Sequence, residues 1–574
     1  MRMARVAVLM HEQSAQQHWA YGLNVFGAYA GEILRHYGIP FEAVADPAAL
    51  AAGGYDIVVV AHAGNDPHTA ELLWKYAEAG GVLVSYAGLR GLAGKLHCAE
   101  AAEKGSGYAA LLPCLEEEPP LRYLRAVPWT PAGAGSGSPE RYGALHDRKP
   151  GGAIAAEALL RFAVGDGSVE RWAVDIPYTI VGLQQGIRPI LEDGIPAPDG
   201  SAQIDDGILK ADDSSELDWE YDRLTTETDM PYFAYPYADL WKEALAGHLV
   251  RCAYSRGLAL PFVGFWPDGV AKVATVSHDS DTNEDEQAET TLRVLAECGV
   301  RTTWCMIEPG YSPGIYDKVK QAGHELAFHY NAYVRQGGKW GGDEFDRQLA
   351  VMKQAMGLER VVTNKNHYTR MEGWNELYEW CDNNGIEMDQ TRGSSKRGNV
   401  GFLFGTCHAF VPIAWHTARN RTFRVLELPF FSQDMGTGTW ADASIANPIL
   451  SGVERVEGVA HILFHQYHLH YNDHVRQLFC QYIETAQSRG FAFWTAAEIN
   501  DWTRARRSAN VTDIDEHGEA AVSGSVAIRD LVVWVPVADR QGADIELKLG
   551  VPCRKQVCSI AAAASCWAGN ENNQ

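Results

Sequence analysis

The chain has 574 residues, which is more than a single domain usually contains. Its composition, with 46% hydrophobic and 21% charged residues, is typical of a globular protein and excludes a disordered or collagen-like chain. Asp and Glu (73) outnumber Lys and Arg (49), and the resulting net charge of −24 disfavours nucleic acid and anionic membranes as partners, since both are negatively charged. The sequence has no apolar run of about 18 residues and no leader-cleavage pattern near its start, so we expect a cytoplasmic protein.

Residues 1 to 185 alternate short apolar runs such as RVAVLM and DIVVVAH with helical patterns. The alternation predicts βα units on a mainly parallel sheet, and the region resembles the glutamine-amidotransferase-like fold. That fold implies a catalytic cysteine on the turn after VLVS, where this chain has Tyr86, Ala87 and Gly88. Cys98 lies beyond the turn, and we interpret it as a structural or surface residue rather than a catalytic one. We therefore expect a non-catalytic module for binding, assembly or shielding.

Three further regions follow. Residues 186 to 260 are acidic without the spacing of an EF-hand loop, and we interpret them as a solvated connector. Residues 261 to 505 carry eight strand-like runs between helical patterns, which predicts a (β/α) barrel, complete or slightly irregular, with its chemistry where strands end. Residues 506 to 560 alternate like a small β-sandwich-like accessory domain, and residues 561 to 574 are expected to form a loose tail. The eight runs are VATVSH, RTTWCM, HELAFH, RVVTNK, IEMDQ, RVLELPF, AHILFH and FAFW.

Polar residues stand where these predicted strands end. Asp279 and Asp281 close the first strand, and two carboxylates at this spacing can share a site, one on a metal and one taking a proton from water. His329 and His367 follow two later strands, where an imidazole can bind a divalent metal. His465 ends AHILFH and suits protonation of a leaving group. Any one of these residues is more often structural, but their joint placement favours a site.

The order of HDSD, GHELAFH, a later Arg-containing loop and ILFHQ resembles the polysaccharide deacetylase family, also called NodB-homology or carbohydrate esterase family 4, over about residues 261 to 505. The resemblance implies a metal-dependent hydrolase that removes an acyl group, above all N-acetyl, from a sugar or oligosaccharide. It implies Asp279 as the base and His465 as the acid. Asp281 and His329 inherit the role of metal ligands.

The sequence departs from the family pattern at two positions. The family's second histidine ligand falls on Tyr333, so we assign the third ligand position to His367. The family's Arg-x-Pro motif appears only as RME, and Arg370 is carried over as the residue that orients Asp279. Further substrate-binding residues are expected at Tyr330, Trp374, Glu427, Asp434 and His468.

The resemblance implies a divalent metal, Zn²⁺ first, with Mn²⁺, Co²⁺ or Ni²⁺ as other choices. Two alternatives stay open. The Tyr333 departure also fits a metal-independent amidase acting on a small C–N substrate, and the cleft also fits a catalytically silent carbohydrate-binding protein. The expected partner is a carbohydrate, with no nucleic acid and no membrane, and the accessory domains are compatible with a homo-oligomer.

Overall fold

The computed structural model describes residues 1–111, 119–132, 138–202, 207–539, 542 and 544–561. The predicted tail at 561–574 lies outside this set except for its first residue. Within the described ranges, no helix is long and apolar enough to cross a membrane.

The first region is built on a nine-stranded mixed sheet. Its strands and helices are β1 (Val6–Met10), α1 (Glu12–Ala20), α2 (Tyr29–His36), β2 (Glu42–Val44), α3 (Leu50–Gly53), β3 (Ile57–His62), α4 (Pro67–Glu78), β4 (Val82–Tyr86), β5 (Cys98–Glu100), β6 (Gly107–Ala110), β7 (Leu121–Tyr123), β8 (Trp129–Pro131), β9 (Glu140–Asp147), β10 (Ile154–Val164), β11 (Gly167–Trp172) and α5 (Ile176–Gln185).

Only half of this sheet is parallel. The order is β2-β1-β3-β4-β11-β10-β9-β6-β7, with β2 to β11 parallel and β11 to β7 antiparallel. The expectation of a mainly parallel sheet is therefore wrong for the second half, because the chain from β9 to β11 returns through hairpins rather than crossover helices. In the parallel half, α4 begins with residues that commonly start helices. Asp66 is its N-cap and accepts a hydrogen bond from the Thr69 N–H, and Pro67 is its first residue.

Residues 186 to 260 are not a solvated connector. They form β12 (Arg223–Thr225), β13 (Pro231–Phe233) and the 19-residue helix α6 (Tyr237–Ser255), most of which is buried and packs against α5. The acidic composition suggested exposure, but several acids are buried against cations. The Asp239 carboxylate, for example, lies 3.0 Å from the Lys242 ammonium. Paired charges can be buried where isolated ones cannot.

All eight predicted strand runs of the next region form strands. The elements are β14 (Phe262–Val263), β15 (Lys272–Asp279), α7 (Asp285–Cys298), β16 (Thr303–Met306), α8 (Pro313–Gln321), β17 (Glu325–Tyr330), α9 (Gly342–Met356), β18 (Thr363–Asn366), α10 (Glu376–Asn384), β19 (Met388–Asp389), β20 (Leu426–Glu427), α11 (Ala446–Val456), β21 (Val459–Leu463), α12 (Gln466–Tyr471), α13 (Asp473–Ser488), β22 (Phe491–Phe493) and α14 (Ala496–Ser508).

These strands form a curled parallel sheet in the order β20-β19-β18-β17-β16-β15-β21, with β22 also paired to β15. The join between the β20 side and β21 is irregular. The Phe431 N–H donates to the His461 carbonyl at 3.0 Å, and the Leu463 N–H donates to the Ser432 carbonyl at 3.0 Å. The architecture is thus an α/β sheet whose two sides are linked by a non-strand segment.

The C-terminal region shares a sheet with the segment before the curled sheet. Its strands are β23 (Asn510–Ile514), β24 (Ala520–Ser523), β25 (Ile528–Pro536), β26 (Ile545–Lys548) and β27 (Val551–Ile560). The sheet order is β14-β25-β27-β26, and β23 and β24 form a separate hairpin. The expected sandwich-like domain is therefore one small sheet and a hairpin, and Val263 of β14 lies in the same apolar cluster as Leu531 and Val533.

Candidate functional site

Five polar side chains meet at the carboxyl edge of the curled sheet. Asp279 ends β15, Asp281 lies in the loop after it, His329 is the penultimate residue of β17, His367 follows β18 directly and His465 comes two residues after β21. The carboxyl ends of parallel strands lie at one edge of such a sheet, so residues distant in sequence become neighbours there.

Three of these side chains converge on one point. Asp281 Oδ1 lies 3.4 Å from His329 Nε2 and 3.4 Å from His367 Nδ1, and the two nitrogens are 3.1 Å apart. A tetrahedral Zn²⁺ ion with bonds of about 2.0–2.1 Å separates its ligand atoms by about 3.3 Å. The triangle of donor atoms therefore has the dimensions of a metal site.

The far nitrogen of each histidine ring faces an acceptor. His329 Nδ1 lies 2.9 Å from the Lys365 carbonyl oxygen, and His367 Nε2 lies 2.7 Å from Gln336 Oε1. Each of these nitrogens must carry the ring proton, so in the neutral rings His329 Nε2 and His367 Nδ1 present lone pairs. Asp281 Oδ1 faces both of these nitrogens, and it has no hydrogen-bond partner within the described part of the chain. Three electron pairs thus point at one place, and a cation there would remove their mutual repulsion.

Asp279 lies beside a buried cation. Lys365 Nζ is 3.4 Å from Asp279 Oδ1, and the lysine side chain is completely buried. Burial alone would raise the pKa of Asp279, but Lys365, His329 and His465 outweigh it and lower that pKa. Asp279 is therefore an ionised carboxylate inside the protein.

A short hydrogen-bonded chain fixes Lys365 in turn. Its ammonium donates to Ser277 Oγ at 2.5 Å, and Ser277 Oγ lies 2.9 Å from His461 Nε2. His461 Nδ1 lies 3.1 Å from the Pro429 carbonyl oxygen and donates to it. Burial and the nearby lysine lower the pKa of His461, which keeps its ring neutral and its Nε2 an acceptor for the Ser277 hydroxyl.

Sequence reasoning missed Lys365, although a signal was present. The run RVVTNK was predicted to be a strand, and a lysine whose side chain faces the interior from such a strand is rarely buried without a partner. That rule alone would have predicted a carboxylate opposite Lys365.

His465 is held by the carboxylate of Asp434. Asp434 Oδ2 lies 2.5 Å from His465 Nδ1, and Asp434 Oδ1 accepts the His465 backbone N–H at 2.7 Å. Burial opposes protonation of the ring, but Asp434 and Asp281 raise the pKa of His465 to about 10. The ring is thus an imidazolium at neutral pH, with Nε2 3.6 Å from Asp281 Oδ2 and 4.0 Å from Asp279 Oδ2.

His468 lies at the edge of this group. Its Nε2 is 4.0 Å from Asp434 Oδ2, and its side chain is 35% exposed. Of the residues expected to bind substrate, Asp434 and His468 are the two that the structure brings to the site.

The structure does not bring Arg370 to Asp279. Its Nε donates to Glu372 Oε1 at 2.9 Å, two residues along the chain. Tyr368 and Thr369 both have positive φ, and the turn they form separates Arg370 from the strand end. The cation next to Asp279 is Lys365 instead.

Tyr330, Trp374 and Glu427 lie in the interior rather than at the site. Tyr330 and Trp374 are at most 5% exposed, and their polar atoms donate to backbone carbonyls. Glu427 is fully buried and accepts hydrogen bonds from the Tyr378 hydroxyl and the Arg392 N–H. An aromatic or acidic residue near a strand end has the same sequence signature whether it faces the cleft or the core.

No protein-family model and no curated protein sequence matches this chain. The solved structures that match do so at low identity and low TM-score. A Mycobacterium smegmatis protein described as a polysaccharide deacetylase is 15% identical with a TM-score of 0.33, covering 42% of this chain and 93% of its own. The carbohydrate esterase 4 domain of a xylanase from the hindgut metagenome of Trinervitermes trinervoides is 14% identical with a TM-score of 0.24, covering 40% and 90%.

A β-galactosidase of Rahnella sp. R3 also matches, with 14% identity and a TM-score of 0.24, over 30% of this chain and 28% of its own.

Proposed function

We propose that the protein is a metal-dependent hydrolase that removes an acyl group, an acetyl group above all, from a sugar or oligosaccharide. The observation that carries this proposal is the convergence of Asp281, His329 and His367 donor atoms within 3.1–3.4 Å of one another. Beside them stand a carboxylate and an imidazolium, the two groups that hydrolysis of an amide or ester needs.

Asp281, His329 and His367 would hold the metal ion. Two imidazoles and one carboxylate leave an open coordination position and suit Zn²⁺, and Mn²⁺, Co²⁺ or Ni²⁺ accept the same donors. When bound, such an ion supplies Lewis acidity that polarises an acyl carbonyl and acidifies water.

Asp279 is the general base in this proposal. Lys365 holds Oδ1 from one side, which leaves Oδ2 facing the site, 3.6 Å from His329 Nε2. An ionised carboxylate at that position can accept the proton of the attacking water.

His465 is the general acid. Asp434 holds Nδ1 and keeps the ring charged, while Nε2 faces the carboxylates of Asp279 and Asp281. From Nε2 the proton can pass to the leaving nitrogen or oxygen. An ionised Asp279 and a protonated His465 thus provide base and acid together at neutral pH.

The role of the first region is part of the same proposal. Tyr86 is the last residue of β4 and Ala87 begins the turn where a nucleophile is expected, while Cys98 is buried with its thiol 3.4 Å from the Leu96 carbonyl. These features support a non-catalytic module, for which the amidotransferase-like assignment rests on the sequence resemblance alone.

The test is release of acetate from N-acetylated chitooligosaccharides and O-acetylated xylooligosaccharides by Zn²⁺-loaded protein. We expect turnover by the parent and a loss of about 10²–10⁴-fold in Asp279→Asn, which keeps shape but cannot take a proton. Asp317→Asn, at an exposed carboxylate of α8, is the matched control and should leave the rate unchanged. No acetate from either substrate class would contradict the proposal in favour of an amidase for other C–N substrates or a binding protein.

A further inference from the structure

Two cysteines far apart in sequence are neighbours on the outer helices of the curled sheet. Cys298 is the last residue of α7 and Cys480 lies within α13, and their sulfur atoms are 3.3 Å apart across a separation of 182 residues. Both side chains are partly exposed, whereas most other described cysteines are buried. Within the described ranges, no other two cysteine sulfurs are hydrogen-bonded to each other.

We propose that Cys298 and Cys480 are a reversible disulfide site that fastens α7 to α13 when a disulfide oxidant is present. This inference is independent of the hydrolase proposal, because neither cysteine belongs to the site described above.

The chemistry requires an external oxidant, and oxidised glutathione is a sufficient one. One cysteine thiolate attacks the glutathione disulfide, forms a mixed disulfide and releases one glutathione thiolate. The second cysteine thiolate then attacks the protein-bound sulfur and releases the second glutathione. Two thiols lose two protons and two electrons in total, and one glutathione disulfide becomes two glutathione thiols.

The local geometry favours the second exchange. A disulfide bond is about 2 Å long, so sulfurs already 3.3 Å apart need only a small side-chain movement to join. Burial and the neighbouring Cys480 raise the pKa of Cys298 to about 12, so we expect slow exchange at neutral pH and faster exchange at pH 8.5.

The bridge would connect the two chain segments that form opposite sides of the site. The helix α7 follows the loop of Asp281, and α13 follows α12 and His465. The two sides already touch, since Thr290 Oγ1 of α7 lies 2.8 Å from His470 Nδ1 of α12. A cross-link across 182 residues constrains the unfolded chain strongly, so oxidation should raise thermal stability.

The experiment treats the full-length protein with oxidised glutathione at pH 8.5, blocks free thiols and maps cysteine-containing peptides by mass spectrometry. We expect a linked Cys298–Cys480 peptide pair whose mass is two hydrogen atoms below the sum of the two reduced peptides. We also expect the Tm to rise by about 3 °C, and dithiothreitol should reverse both changes.

Matched variants separate this bridge from other thiol chemistry. Cys298→Ser and Cys480→Ser should each abolish the linked peptides and the rise in Tm, while Cys558→Ser, at another partly exposed cysteine, should retain both. Stable glutathione adducts without the linked peptides, or a rise in Tm that persists in Cys480→Ser, would overturn the proposal.

Discussion

Metal-binding residue types come together at two separate places within the described ranges, and the two places differ in whether the ligand nitrogens carry a proton. One lies at the carboxyl edge of the curled sheet. The other is buried between β11 and α6. The first cluster contains Asp281, His329 and His367, and Asp279 and His465 group around the same Asp281; the second contains Glu170, His248 and Cys252.

In the second cluster, the atoms that could bind a metal are already hydrogen-bonded to one another and to neighbouring side chains. The Trp172 indole donates to His248 Nδ1 at 3.2 Å, so the ring proton lies on Nε2, which donates to Glu170 Oε2 at 2.7 Å. Cys252 Sγ lies 3.4 Å from the same oxygen, and Arg161 Nε lies 3.4 Å from Glu170 Oε1. The nitrogen that would bind a metal carries a proton instead.

The first cluster has the opposite arrangement. Backbone and amide acceptors lie at the far ring nitrogens of His329 and His367, so the near nitrogens of the neutral rings present lone pairs towards Asp281. The comparison teaches that residue type and spacing do not identify a metal site. The direction of each histidine's second hydrogen bond separates a ligand from a structural residue.

The largest effect is expected from Lys365→Met. The substitution leaves Asp279 buried without its cation, and breaking a buried pair in this way costs about 3–5 kcal/mol of unfolding free energy. Denaturant unfolding measures it, with the exposed Lys75→Met as the control. Equal stability of the two variants would show that Asp279 does not depend on Lys365.

Replacing His248 tests the satisfied cluster. His248→Leu leaves the Glu170 carboxylate and the Trp172 indole without their partner, and we expect a loss of about 2–4 kcal/mol in unfolding free energy. Metal content should not change, because no metal is expected there. A fall in bound metal in this variant would remove the distinction between the two clusters.

Replacing Gln336 tests the tautomer argument in the first cluster. Gln336→Leu removes the acceptor that holds the proton on His367 Nε2, and loss of such a partner weakens metal binding about 10–100-fold. A competition titration with a chelating dye measures the dissociation constant. Gln321→Leu, an exposed position at the end of α8, is the control, and equal affinities of the two variants would contradict the tautomer argument.

A third buried arrangement pairs Glu427 of β20 with Asp389, its neighbour on β19, and we expect these two carboxyl groups to share one proton. Burial and Asp389 raise the pKa of Glu427, so the folded state keeps a proton that the unfolded chain releases above a pKa of about 4.3. The contribution of this group to the free energy of unfolding is fully present below that pH and decreases as the pH rises towards the folded pKa.

Glu427→Gln keeps a donor for Asp389 and cannot ionise. From pH 5 to pH 8 we expect the variant to gain about 1 kcal/mol of stability over the parent for each pH unit that lies below the folded pKa of Glu427. Denaturant unfolding at both pH values tests this, and a gain that shrinks at the higher pH would contradict the shared proton.

Much of the fold and part of the site followed from sequence patterns. Strand periodicity located all eight strands of the curled sheet, and their polar ends led to the prediction of Asp279, Asp281, His329, His367 and His465, whose side chains lie together in the structure. The antiparallel half of the first sheet was missed because short apolar strands have the same period in either orientation. The burial of α6 was missed because acidic residues suggest solvent until their partners are known, and Arg370 was misplaced because two positive-φ residues redirect the chain before it.

The central claim is tested most directly by the metal content of the purified, zinc-reconstituted protein, measured by elemental analysis beside Asp281→Ala and Cys252→Ser. The account predicts about one divalent ion per chain in the parent and in Cys252→Ser, and almost none in Asp281→Ala. No metal in the reconstituted parent, or metal retained in Asp281→Ala and lost in Cys252→Ser, would contradict it.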